Sequence, residues 1–141
     1  MLHRFARQAL PIVGATFVAC VVLQIVLAGL GVFADPGSFV THRNFGYLFG
    51  LLTLVLLVLA IAGRQPRRTI GLCALLLGLF AMQSVFIALR ASAPEVAALH
   101  PLNGFLILLV AIVVTRASWA ARTDVAPATS ASTLTASAEP R

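Results

Sequence analysis

Four apolar runs, each long enough to cross a bilayer, leave this chain few alternatives. They occupy 9–33, 45–63, 69–89 and 101–121. A helix rises about 1.5 Å per residue, so about 20 residues span the hydrocarbon core. Membrane strands would instead need alternating segments of about ten residues, and the sequence has none. Only 10% of the 141 residues are charged and 60% are hydrophobic, whereas soluble domains carry about 25% charged residues. The expected fold is all-α: a four-transmembrane-helix bundle over 1–122, followed by a disordered cytoplasmic tail over 123–141. That tail, TDVAPATSASTLTASAEPR, has no apolar face and cannot offset the entropy of ordering itself.

The connections carry the turn formers. They read ADPGSFVT (34–41), RQPRR (64–68) and RASAPEVAAL (90–99). Could the first run be a removable signal peptide? Its apolar stretch is about twice the usual core of such a peptide, so it is expected to stay as the first helix.

Ten basic residues, all arginine, face four acids, giving a net charge of +6. The arginines sit between apolar runs, which favours topology over nucleic-acid binding as their role. Arg4, Arg7, Arg64, Arg67, Arg68, Arg116 and Arg122 fall on one side, and only Arg43 and Arg90 on the other. The positive-inside rule then makes both termini cytoplasmic in a plasma (cell) membrane, with Trp119 anchored near the inner face. The lipid bilayer is the first expected partner. Cys20 and Cys73 lie in apolar runs at different depths and are not expected to form a disulfide.

HRNFG (42–46) opens the second run and HPLNG (100–104) the fourth. Pro36, His42 and Gly46 match Pro94, His100 and Gly104 at one offset of 58, and Gln24 matches Gln83 at 59. These are the rarer residue types of the chain. The arrangement reads as two tandem parallel helix hairpins related by a pseudo-two-fold axis along the membrane normal. His42 and His100 then lie at one depth, and an axis through the bundle brings them face to face. Gly46 and Gly104 follow one turn deeper on the same helix faces.

Two opposed imidazoles suit the axial positions of haem iron. On this reading His42 and His100 bind haem b near the outer face, and Gly46 and Gly104 leave room for the macrocycle. Arg43 and Arg90 meet its propionates through charge-assisted bonds. Arg90 is placed there because it follows Gln83 by seven residues on one helical face. Gln24 and Gln83 bond either a ligand edge or neighbouring carbonyls, holding helices together; Cys20, Gln24, Ala28 and Gly31 form a packing stripe on the first helix. A copper or zinc site would want three or four ligands, and no third ligand is evident. Haem would serve membrane electron transfer with an oxidoreductase partner. The competing class is a structural or accessory membrane subunit without cofactor, and a small transporter is a third. No Asp, Glu or Lys lies within a run, which argues against proton-coupled export.

The stretch QIVLAGLGVFADPGSFVTHRNFGYLFGLLTLVLLVLA, with LHPLNGFLILLVA later, resembles a family of small four-helix membrane proteins from actinobacteria. That family is described only as a domain of unknown function. The resemblance covers about residues 4–120 and implies a fold and a membrane location, without an activity. The chain also resembles one four-helix half of haem A synthase, which carries histidines on its second and fourth helices. That resemblance implies axial ligation by His42 and His100. The enzyme family has an acidic residue one turn before a ligand histidine, where this chain has Ser38, so haem A chemistry itself is not implied.

Overall fold

The structure, a computed structural model, describes residues 1–123. Residues 124–141, the bulk of the expected tail, lie outside the described residues. The chain forms α1 (Leu2–Phe33), α2 (Ser38–Ala62), α3 (Arg67–Ala88), a 3-10 turn (Leu89–Ala91), a short α4 (Pro94–Ala97) and α5 (Leu99–Thr123). No strand occurs among the described residues. α1, α2, α5 and α3 with its 3-10 extension are each long and apolar enough to cross a membrane. The chain is thus a four-helix, multi-pass membrane protein by length and composition.

The helices begin earlier than the apolar runs, because hydropathy marks the hydrocarbon boundary and not the end of helical geometry. Nothing in Leu2–Gln8 breaks a helix, so α1 continues out past its run. Pro11 lies inside it; membrane helices tolerate such breaks when neighbours re-satisfy the backbone. At the α1–α2 turn the Asp35 carboxylate accepts from the Gly37 backbone N–H at 2.9 Å, an Asx turn. At the α2–α3 turn Arg64 takes the left-handed conformation at φ 49°, and the Gln65 N–H reaches the Ala60 carbonyl at 3.0 Å. Gly63, the residue before, is needed for a different reason. A side chain there would meet Arg7 of α1 at 3.3 Å.

Around the bundle the order is α1, α2, α3, α5, with each helix packed on its two neighbours. The diagonal pairs α1–α3 and α2–α5 make no close backbone approach. Burial repeats with the offsets of the sequence motif. The buried positions Ala6, Leu10, Gly14 and Phe17 become the buried Gln65, Thr69, Cys73 and Leu76 at offset 59. Phe49, Thr53, Leu56 and Ala60 become Ile107, Ala111, Val114 and Ser118 at offset 58. A pseudo-two-fold axis exchanging α1 with α3 and α2 with α5 would give this pattern, and the ring order permits it.

Seven arginines gather at one end. Arg7 donates to the Ala121 carbonyl at 3.0 Å, tying α1 to the last turns of α5, and Arg122 lies over the Trp119 ring at 5.1 Å. At mid-depth the core is aromatic. Phe17 (α1), Phe49 (α2) and Phe80 (α3) meet with ring centres 5.3 to 6.1 Å apart, and Phe45 stacks on Phe49 at 5.1 Å. This cluster is the floor of the site described next.

Candidate functional site: a facing histidine pair

His42 is in the second turn of α2 and His100 in the first turn of α5. The two helices sit on a diagonal of the bundle, so only side chains can bridge them. The imidazole rings do meet: their centres are 6.2 Å apart with planes at 62°. Both residues are half-buried. Phe39 stands edge-on to His42 at 6.4 Å and lies over Gly31 of α1, where a side chain would come within 2.8 Å of its ring. Phe49 is two turns below His42, about 10 Å deeper at 1.5 Å per residue.

His42 is held by two bonds to one residue of α1. Its Nδ1 lies 3.1 Å from the Gln24 backbone carbonyl, which can accept only if Nδ1 carries the proton. The lone pair of the neutral ring then sits on Nε2. The Gln24 side chain returns the contact, with Nε2 donating to the His42 carbonyl at 2.7 Å. That carbonyl already serves the helical bond to residue 46. A second donor reaches it only because residue 46 is glycine, since a Cβ there would lie 2.8 Å from the Gln24 amide nitrogen. This explains the HxxxG spacing locally: glycine one turn on opens the histidine carbonyl to a neighbouring helix.

The second copy follows the plan with one variation. The His100 Nδ1 is buried without a hydrogen-bond partner, whereas His42 Nδ1 meets the Gln24 carbonyl. A Cβ at Gly104 would meet the Gln83 amide nitrogen at 3.4 Å, an ordinary contact. Asn103 donates to Gln83 Oε1 at 3.0 Å and to the Leu79 carbonyl at 2.8 Å, binding α5 to α3. The sequence reading passed over Asn103. Its repeat equivalent is Phe45, so the register offers no polar counterpart. A buried carboxamide beside the motif glycine was the available signal. Each glutamine is thus drawn to the partner helix of its own hairpin, and the two do not bond each other.

Arg43 and Arg90 are at the histidine end, both exposed. Neither bonds the histidines or glutamines among the described residues. Arg90 donates to the Ile87 carbonyl at 3.3 Å. It also lies beyond the end of α3, in the 3-10 turn Leu89–Ala91. No group of three or more His, Cys, Asp or Glu side chains that could hold a metal ion occurs among the described residues. The donor set is the two imidazoles, so a metal here needs its other ligands from elsewhere.

Fold and site together define a class: a small multi-pass bundle whose diagonal helices bring two histidines together near one end. Residues 24–91 match the profile of DUF6220, a family of unknown function. This agrees with the resemblance to a small helical membrane family without an assigned activity. The matched stretch includes Gln24, His42, Gly46 and Gln83 and ends before His100. No curated protein and no solved structure matches the chain.

Proposed function

We propose that the chain binds one haem b between His42 and His100 and carries electrons in the membrane. One observation carries this reading: the two ring centres lie 6.2 Å apart across the bundle, with planes at 62°. An imidazole–metal bond is about 2.0 Å and the ring centre lies about 1.1 Å behind the nitrogen. A metal held between the two imidazoles would place their centres about 6 Å apart.

The surrounding groups suit the same ligand. Metal-bound histidines usually donate their other N–H to a carbonyl or carboxylate, which fixes the tautomer, and His42 has that bond to Gln24. His100 Nδ1 is a buried polar atom without a partner beside the equivalent Gln83. Haem would need only these two side chains, His42 and His100, from the protein. The α1 and α3 backbones do not approach each other on either side of the histidine pair. Their glutamine amides fold back onto α2 and toward Asn103 of α5. Bound haem would supply one-electron chemistry, at a potential set by axial ligands, hydrogen bonding and burial. This chain's own contribution is to hold two imidazoles 6.2 Å apart above an apolar aromatic cluster. Arg43 and Arg90 are exposed at the same end, where propionates emerge, and their long side chains can turn toward them.

Positive-inside asymmetry orients the arginine-rich end and both termini toward the cytoplasm, and the histidine pair toward the outer face of a cell membrane. The expected partner is a membrane oxidoreductase.

The test is a dithionite-reduced minus oxidised visible spectrum of detergent-purified protein expressed with added haem precursor. Sharp bands that are lost or altered in both His42→Ala and His100→Ala are expected. A colourless wild-type protein refutes the reading.

A further inference from the structure

At the opposite end of the bundle a groove of about 350 Å³ opens between α3 and α5. Its mouth carries Arg68 and Arg116, and its walls are Thr69, Leu72, Ile112 and Val113. Both arginines are exposed and make no ion pair or hydrogen bond among the described residues. Arg68 lies in the first turn of α3, whose N-cap is Pro66. That turn has no side-chain cap and no acidic residue, so the positive end of the helix dipole is uncompensated there. An arginine in a helix's first turn and a second arginine thus line one groove with the apolar Leu72, Ile112 and Val113, which lie about one turn further into the span.

The repeat supplies an internal comparison. At offsets 59 and 58 the equivalents of Arg68, Thr69 and Arg116 are Ala9, Leu10 and Val58. The first hairpin therefore has an apolar seam where the second has two cations and a hydroxyl. Helix packing alone does not require them, since the same burial pattern is met without them in the first copy.

We propose that this groove binds an anionic phospholipid, its phosphate held by Arg68 and Arg116 and an acyl chain lying along Leu72, Ile112 and Val113. Charge complementarity selects the headgroup. The apolar trough, about one turn deeper in the same helices, selects a lipid over a free anion. Basic pockets between membrane helices recognise such headgroups. The site is independent of the histidine pair and stands whether or not haem binds.

The full chain, purified in detergent, is examined by native mass spectrometry with phosphatidylglycerol, phosphatidylcholine and inorganic phosphate as separate probes. One phosphatidylglycerol per chain is expected, in preference to phosphatidylcholine and not displaced by millimolar phosphate. Two surface cations are worth about thirtyfold in binding, so R68Q/R116Q weakens it by about that factor. R68K/R116K keeps most of it, and Arg4→Gln, at the same end outside the groove, leaves it unchanged. Val113→Trp fills the trough without touching an arginine and also weakens it. Helix content by circular dichroism verifies folding of each variant. Equal binding of phosphatidylcholine, full displacement by phosphate, an unaffected R68Q/R116Q protein, or an equal loss in Arg4→Gln overturns the proposal.

Discussion

Replacing Gly46 by alanine tests the physical reading of the HxxxG motif, because Gly104→Ala is a built-in control. In a helix interior, glycine to alanine gains about 0.8–1 kcal/mol. At Gly104 the new Cβ meets the Gln83 amide at 3.4 Å, so that gain is expected nearly in full. At Gly46 it would come within 2.8 Å of Gln24 Nε2. The amide is the free end of a flexible side chain and moves aside, which breaks its 2.7 Å bond to the His42 carbonyl. Interhelical hydrogen bonds in membranes average about 0.6 kcal/mol, with a maximum near 1.7. Gly46→Ala is therefore expected to be close to neutral, about 0.6–1 kcal/mol behind Gly104→Ala. The assay is unfolding by sodium dodecyl sulfate in mixed micelles, followed by far-ultraviolet circular dichroism. Gln24→Ala completes a double-mutant cycle: in that background Gly46→Ala should stabilise as much as Gly104→Ala does. Equal stabilisation by both alanines in the wild-type background would refute the argument, as would a gap that survives removal of Gln24.

Other substitutions probe the remaining contacts. At Gly50→Ala the new Cβ runs into the Phe80 ring, and Phe80 is held by Phe17 and Phe49; overpacking costs about 1–3 kcal/mol, so the same unfolding assay should show a net loss. Asn103→Leu removes the bonds to Leu79 and Gln83 at nearly constant volume, and a loss of about 1 kcal/mol is expected. Arg64→Gly relieves a left-handed non-glycine residue at the end of α2 and should stabilise by about 0.5–1 kcal/mol, read as a higher dodecyl sulfate midpoint.

Much of the site was legible before any coordinates. The doubled histidine and glycine fix a pair of equivalent positions, and the offsets 58 and 59 that align them also align many of the buried positions, from Ala6 with Gln65 to Ala60 with Ser118. What the glycines are for was not legible. Sequence suggests a shelf for a flat ligand; in the structure glutamine amides lie against both glycines, and at Gly46 the amide is bonded to the histidine carbonyl. Arg90 lies in the 3-10 turn that extends α3 and donates to the Ile87 carbonyl, a local contact that spacing does not show.

By itself the sequence determined the number of spans, the hairpin repeat and the end at which arginines collect. Hydropathy and charge are local properties summed along a chain, so one dimension suffices for them. Tertiary structure alone decided which helices are neighbours, which faces turn inward, and that the two histidine helices lie on a diagonal of the bundle. The reason lies in the solvent. In water an apolar stripe marks the buried face of a helix, but lipid tails are as apolar as a protein core. Leu48, Leu51 and Leu109 face outward here as readily as Leu56 and Leu76 face inward. Inward faces are set by fit between side chains on different helices, such as Gly50 beneath Phe80 or Gly14 against Thr115. That fit exists only once the helices are side by side.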